Sequence, residues 1–378
     1  MRFSHLQLEN WRNFIKLNIP LNERVFVVGP NASGKSNFMD VFRFLRDIAS
    51  VGGGLQEAVR RRGGVSRLRC LAARRYPDLV IDVELKNEHT AWRYRLQFTQ
   101  DNQSRPFVRN EDVWKNDISL LHRPDDLDTH DPERQTQTHL EQVTANKEFR
   151  ELADFFASVR YTHLVPQLVR EPDRSIGRQQ DPYGGDFLEQ IARQSKPTRE
   201  SRLGKIREAL KVAVPQLNEL ELARDERGTP HLRGLYTHWR PKGAWQNEDQ
   251  FSDGTLRLIG LLWSLIDGKG PLLLEEPELS LHPEIVQHVP QMIARIQRKS
   301  PRQVFISTHS TDLLRDQGIG LDEVLLLLPS EEGTVVTVSH DDSEIVHLLE
   351  GGLTMADAVF PKTRPSKAYQ LPMFGDQA

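Results

Sequence analysis

Cysteine is almost absent from this 378-residue sequence. Cys70 stands alone, so an intramolecular disulfide is excluded and a reducing compartment suits the chain. A solitary cysteine reads as a small buried hydrophobe rather than a reactive thiol. A dominant charge is lacking as well: 50 Lys and Arg face 53 Asp and Glu, for a net charge of −3. No global field announces a polyanionic partner, and any nucleic-acid surface must be local. Long apolar runs are missing too. The longest, Leu258 to Ile266, falls far short of the ~20 residues of a membrane helix. Met1 to Phe14 has neither the apolar core nor the small-residue cleavage site of an export signal. A soluble, cytoplasmic protein with no membrane contact is expected.

What is present is a 38% hydrophobic chain, long enough for one large or two ordinary domains. Leu6 and Leu8 alternate with His5 and Gln7 as on a half-buried strand, and Val25 to Val28 is an apolar run ending at Gly29. From Ser36, residues Phe38, Met39, Phe42 and Leu45 recur at helical spacing. Leu79 to Leu85 and Trp92 to Phe98 read as an antiparallel hairpin. Between about Asp101 and Gln250, prolines at 106, 124, 132, 166, 172, 182, 197, 215, 230 and 241 cut the chain into short elements and forbid a long coiled coil. Two amphipathic helices are expected there, one through Phe187, Leu188, Ile191 and Ala192, the other through Leu203, Ile206, Leu210 and Val214. Then follow a helix to Ile266, a strand Pro271 to Leu274, a helix from about Pro283, a strand Val304 to Ser307 and a hairpin of Val324 to Leu328 with Thr334 to Val338. Strands alternating with helices imply a parallel sheet. The Pro- and Lys-rich tail beyond Pro361 is expected to be mobile.

Gly29-Pro30-Asn31-Ala32-Ser33-Gly34-Lys35-Ser36 satisfies G-x-x-x-x-G-K-[ST] at every position, between a strand and a helix. Such a loop, with Asn37 behind it, wraps phosphates in backbone N–H groups. Lys35 reaches the β and γ phosphates and Ser36 ligates Mg²⁺. The second half of such a site is an acidic strand end, supplied by Leu272-Leu273-Leu274-Glu275-Glu276. Glu275 is expected to hold Mg²⁺ and Glu276 to activate the attacking water, which makes ATP the expected ligand.

Phe251-Ser252-Asp253-Gly254-Thr255-Leu256-Arg257, Glu276-Pro277-Glu278-Leu279-Ser280-Leu281-His282-Pro283 and Ser307-Thr308-His309-Ser310 resemble the signature, D-loop and switch-histidine motifs of ABC-type ATPases. With Asn10-Trp11-Arg12-Asn13-Phe14, their wording is most similar to the RecF, SMC and OLD-like branch, associated with DNA metabolism and phage defence and not with transport. The resemblance covers about residues 1–100 and 245–345. It implies an α/β ABC-ATPase head, a parallel sheet with an antiparallel β lobe, over 1–100 and 245–345. A mostly helical insertion is expected over 101–244, and a C-terminal helix with a mobile tail over 346–378. It also implies a homodimer or higher oligomer in which Ser252 and Gly254 of one protomer meet the ATP of the other, with His309 sensing the γ-phosphate. Two departures stand out: Glu275 occupies the usual Asp position, and the Q-loop glutamine is left open among Gln97, Gln100 and Gln167.

Seven arginines between Arg60 and Arg75, at 60, 61, 62, 67, 69, 74 and 75, have no acid among them. They are candidates for holding a DNA backbone, or for pairing with acids elsewhere. Asp125, Asp126, Asp128, His130 and Asp131 form the densest acid and histidine run, with a solvated loop preferred over a metal site. OLD-like relatives often append a Toprim nuclease, and the residues beyond Ser343 are too few for one. A partner effector, a nuclease or toxin, is therefore the expected counterpart of ATP-driven closure. A slow nucleotide-gated scaffold is the alternative.

Overall fold

The computed structural model describes residues 1–73, 77–175, 181, 183–237, 243–365 and 370. Arg74, Arg75, Pro182, Pro241 and most of the expected tail lie outside the described residues. The strands, in chain order, are β1 (Arg2–Trp11), β2 (Phe14–Pro20), β3 (Arg24–Val28), β4 (Leu79–Lys86), β5 (Ala91–Gln100), β6 (Pro106–Lys115), β7 (Ile118–Arg123), β8 (Arg160–Thr162), β9 (Leu217–Arg224), β10 (Pro230–Tyr236), β11 (Ala244–Asn247), β12 (Leu272–Glu275), β13 (Val304–Thr308), β14 (Val324–Ser330) and β15 (Gly333–Val338).

One sheet, in the order β15-β14-β3-β13-β12-β8, is parallel except for its edge strand β15. Its central strands are buried on both faces, which explains their unbroken apolar runs. Along β3, Val25 and Val27 join one core while Phe26 and Val28 join the other. On the first face the helix Lys35–Ala49 presents Phe38, Phe42 and Leu45, and Phe42 lies 4.6 Å from Phe305 of β13. On the second lie Pro283–Val286, Val289–Lys299 and the C-terminal helices Ser343–Glu350 and Met355–Thr363. The helix expected from Pro283 is thus two pieces, separated at Gln287 and His288. A six-stranded antiparallel sheet, β2-β1-β4-β5-β6-β7, closes over the first core. This is the ABC-ATPase head architecture, α/β with a parallel sheet and an antiparallel lobe.

The expected insertion differs from 101–244 in extent and in kind. Strands β6 and β7 continue the antiparallel sheet, β8 joins the parallel sheet beside β12, and helix Arg150–Ala157 sends Phe155 and Phe156 onto Phe3. A separate core begins only near Leu164 and extends to Trp263, uniting helices Phe187–Ala192 and Lys196–Ala213 with the signature helix Asp253–Ile266. It also carries the sheet β11-β10-β9, so it is not mostly helical. The prolines mislead because Pro106 and Pro230 open strands, where no ladder donor is needed, instead of breaking them.

The acidic run is solvated at Asp126, His130 and Asp131, as expected, but forms a short helix instead of a loop and buries Asp128. Asp125 caps the helix Asp126–His130, and Asp128, fully buried, takes two hydrogen bonds from Arg123 at 2.8 Å while Arg123 also reaches Glu111 at 3.0 Å. Its carboxylate is committed to an arginine rather than a metal. Cys70 is buried, as expected of a small hydrophobe.

Candidate nucleotide site

Parallel strands end on one edge, and β3, β12 and β13 bring the three motifs there. The loop after β3 turns at Ala32 (φ 63°) and Gly34 (φ 97°). A side chain at Gly34 is excluded twice, by the backbone angle and because a Cβ would stand 2.0 Å from Asn13 Nδ2. Asn13 is the loop's clamp: Nδ2 donates to Ser33 O (3.0 Å) and to Thr334 Oγ1 (2.6 Å). Thr334 Oγ1 donates to the same Ser33 carbonyl at 2.9 Å. Asn37, expected at the ligand, spends its side chain on Asn13 Oδ1 (2.8 Å), and its carbonyl accepts from Trp11 Nε1 (3.0 Å). It braces the loop from behind.

Lys35 Nζ donates to Gly29 O at 3.1 Å and Pro30 O at 3.2 Å, and lies 2.5 Å from His309 Nε2. Burial pushes its pKa down, opposed by the charges of Glu276, Glu275 and Glu278. His309 Nε2 is also 3.3 Å from Glu276 Oε1. One ring nitrogen cannot accept from Lys35 and donate to Glu276 at once. The imidazole tautomer therefore selects which partner it engages. Hydrogen bonding from His309 holds the Glu276 carboxyl below its ordinary value, with burial opposing and the charges of His309 and Lys35 assisting. Glu276 sits at φ 45°, a left-handed backbone that aims this side chain off the strand.

Glu275 is bound at both carboxylate oxygens. Ser36 Oγ donates to Oε1 and Tyr161 Oη to Oε2, while His163 Nδ1–H donates to the Glu275 carbonyl at 3.2 Å. Burial first, then the negative Glu275, pushes the Tyr161 phenol pKa up. Arg43, from the P-loop helix, stacks 4.1 Å over the Tyr161 ring. The Ser36 hydroxyl and a Glu275 oxygen thus converge on one point. Two hard oxygens with phosphate and water to complete an octahedron are what Mg²⁺ takes, so the residues fit that ion. Among the described residues no cluster of three or more His, Cys, Asp or Glu gathers for a metal.

Tyr161, His163 and Glu278 escape sequence reasoning. Tyr161 lies on a three-residue strand without an apolar run to betray it. Glu278 stands inside the D-loop motif, where buried Oε1 accepts from Thr308 Oγ1 (2.5 Å) and His309 N (3.1 Å). Burial raises its pKa despite those bonds. Its work is to hold the switch-histidine loop against the D-loop.

Ser252 caps the signature helix, accepting from Thr255 N at 3.1 Å. Gly254 packs on the D-loop so closely that a Cβ would stand 2.6 Å from Ser280 O. Asp253 takes a 2.6 Å salt bridge from Arg170 and a 3.4 Å bond from Gln167 Nε2. Of the three open glutamines, Gln167 is thus the one that touches the signature, since Gln97 binds Asp78 and Gln100 accepts from Ser66. Among the described residues, no hydrogen bond or ion pair joins Ser252 or Gly254 to the P-loop of the same chain. A cleft of about 710 Å³ opens beside Gly29, Pro30, Asn31 and His309, walled opposite by Phe360 and Arg364.

The arginine run divides. Arg62 is withdrawn from solvent, gripping Asp40 at 2.8 and 2.9 Å and Asp47 at 2.9 Å, with 6% of its side chain exposed. It is therefore a structural cation and no DNA contact. Arg60 and Arg61 remain exposed while sharing Glu57 at 2.6 and 2.7 Å, and Arg69 donates to Thr99 Oγ1 at 3.0 Å.

Residues 24–316 match the protein family described as "AAA domain, putative AbiEii toxin, Type IV TA system". The chain belongs to this family. It is an AAA-domain P-loop ATPase. Among solved structures it is similar to an SMC head bound to the C-terminal winged-helix domain of ScpA, with a TM-score of 0.54 and 14% identity, covering 89% of this chain and 97% of that one. It is also similar to an SMC head with an extended coiled coil bound to the C-terminal domain of ScpA from Pyrococcus furiosus, with a TM-score of 0.51 and 11% identity, covering 92% and 99%. At such identities the likeness is one of fold. Endonuclease GajA of Bacillus cereus (strain VD045) is 45% identical over 47 residues, which span 12% of this chain and 8% of that relative. No helix among the described residues of this AAA-domain protein is long and apolar enough to cross a membrane.

Proposed function

We propose that the protein is a Mg²⁺-dependent ATP hydrolase whose heads close in pairs on ATP and open on hydrolysis, acting on DNA or a partner effector in DNA repair or phage defence. The observation that carries this reading is the convergence of Lys35, Ser36, Glu275, Glu276 and His309 on one sheet edge. Gly29 to Ser36 holds the phosphates, and Ser36 with Glu275 holds Mg²⁺, which shields phosphate charge when bound. Glu276, kept ionised beside His309, accepts the proton of the attacking water. Ser252 and Gly254, which do not bond their own P-loop, face the γ-phosphate of a second copy. The purified protein is expected to hydrolyse ATP with Mg²⁺, and Lys35→Ala and Glu276→Gln to remove that activity. Full activity in both variants defeats the proposal.

A second reading is favoured by one feature, the double tether of Glu275. A carboxylate held by both Ser36 and Tyr161 must exchange a bond to accept a metal, which suits slow turnover in a nucleotide-gated scaffold that restrains a separate nuclease or toxin. Single-turnover and steady-state rates separate the readings, because a scaffold binds ATP tightly and turns over far more slowly than it binds. DNA contact, where it occurs, falls to Arg60, Arg61, Arg67 and Arg69 without Arg62.

A further inference from the structure

Arg302, at the approach to β13, is 6% exposed. Its Nε donates to Gly270 O (2.6 Å) and its Nη1 to Ser264 O (2.6 Å) and Asp267 O (2.8 Å), closing the end of the signature helix. Nη2 has no partner. No carboxylate oxygen bonds the group: neighbouring Asp267, whose charge still acts on it, is held by Arg202 at 2.6 Å, and a second cation, Arg160, also stands near. Both flank Gly268, where a Cβ would lie 3.6 Å from Arg302 Nη2 and 4.0 Å from Arg160 Nε. Arg160 is exposed, and its guanidinium has no hydrogen-bond or ion-pair partner of its own among the described residues. Burial, with the adjacent Arg160, pulls the Arg302 pKa down to about 10, against the pull of Asp267.

Both arginines line a cavity of about 50 Å³ between β8, the signature helix and the segment around Gln190. That exceeds the ~10–15 Å³ needed by one water. A third unpartnered donor, the Nε1–H of Trp263, belongs to a residue 2% exposed on the same wall. The remaining acid there, Asp181, accepts from Tyr183 N at 2.9 Å. Two buried donors without acceptors, Arg302 Nη2 and the Trp263 Nε1–H, beside an exposed and unpartnered cation at the cavity edge, Arg160, lack one thing, an anion.

We propose that this cavity binds a small tetrahedral oxyanion of the inorganic phosphate class, held by Arg302 Nη2, Arg160 and the Trp263 indole. Strand β8 supplies Arg160 and Thr162 to the cavity and, between them, Tyr161 to Glu275. Occupancy therefore stiffens the strand that tethers the metal-site carboxylate. This consequence rests on the Glu275 reading above, whereas the binding does not.

The test uses the full chain carrying Lys35→Ala, which weakens phosphate binding at the P-loop and needs no turnover. Sodium phosphate is titrated against sodium chloride at constant ionic strength, following the melting temperature and the Trp263 indole N–H resonance, assigned by Trp263→Phe. Phosphate is expected to raise the melting temperature saturably and to move that resonance, and chloride to do neither. Arg160→Gln, which breaks no intramolecular bond, is expected to weaken phosphate about tenfold, the loss of one charged hydrogen bond, and to leave the phosphate-free melting temperature unchanged. Equal effects of the two salts, an unmoved Trp263 resonance, or undiminished affinity in Arg160→Gln overturns the proposal and leaves the cavity holding water only.

Discussion

Tyr161 and Glu275 meet across adjacent parallel strands: the phenol hydroxyl of β8 donates to Oε2 of the glutamate that ends β12. Glu275 is one methylene longer than the Asp that the resemblance leads one to expect at this position. The extra methylene is accommodated because Tyr161 anchors the far oxygen and leaves the near one beside Ser36. Tyr161→Phe keeps the ring and removes the hydroxyl. It is expected to change the Mg²⁺ concentration for half-maximal ATPase activity by about three- to tenfold, in line with roughly 1 kcal/mol for one hydrogen bond, with little change in melting temperature. An unaltered Mg²⁺ profile denies Tyr161 a positioning role.

Glu276→Gln preserves shape and removes the proton acceptor. ATP binding is expected to persist while turnover falls by about 10²–10⁴, with paired heads accumulating by size-exclusion chromatography in ATP. Lys35→Ala is expected to lose binding itself, so the two variants separate in a nucleotide-binding assay. Equal binding defects in both assign Glu276 to the ligand pocket instead.

Arg62 and its exposed neighbours part company. Arg62→Ala strands Asp40, which burial would protonate but for the charge of Arg62, its hydrogen bond, and the charges of Arg43 and Arg12. Breaking such a pair costs about 3–5 kcal/mol, seen as a lower urea midpoint. Arg60→Glu with Arg61→Glu is expected to leave the midpoint in place and weaken DNA binding in a salt-dependent way. Unchanged DNA affinity removes this loop from the DNA surface.

Stability is expected to fall in acid in two stages. Burial, then the charge of Arg123, lowers the His139 pKa to about 4, so the folded state disfavours the protonated ring. The folded value lies below the unfolded one near 6.5, so this contribution is complete above pH ~6.5 and is lost as pH falls toward 4. Burial opposes ionisation of Asp128, yet hydrogen bonds from Arg123 and from the Asp125 backbone win and bring it down to about 2. Its contribution is present above pH ~3.9 and lost as pH falls through about 2. Urea denaturation from pH 7 to 2 measures both, and His139→Gln is expected to flatten the upper stage alone. A wild-type profile in His139→Gln refutes the assignment.

Local grammar carried much of this protein into view. A P-loop declares itself because its two glycines, lysine and serine are fixed by backbone geometry and phosphate chemistry, and buried parallel strands declare themselves by apolar runs such as Val25 to Val28. Strands β4, β5, β14 and β15 are legible because a hairpin is written in adjacent residues. Proline proved ambiguous, since one residue type marks both a broken element and the first position of β6 or β10.

The sequence by itself determined the order of the motifs, the parallel sheet and which residues, Lys35, Ser36, Glu275, Glu276 and His309, gather at one sheet edge. Only the tertiary structure decided that Asn13 clamps the loop, that Tyr161 tethers Glu275, that Glu278 holds the histidine, and that Arg62 is spent on Asp40 and Asp47. The physical reason is separation along the chain. Tyr161 and Glu275 are brought together by strand order alone, and neither an isolated tyrosine nor an exposed-looking arginine encodes locally what the fold will place beside it.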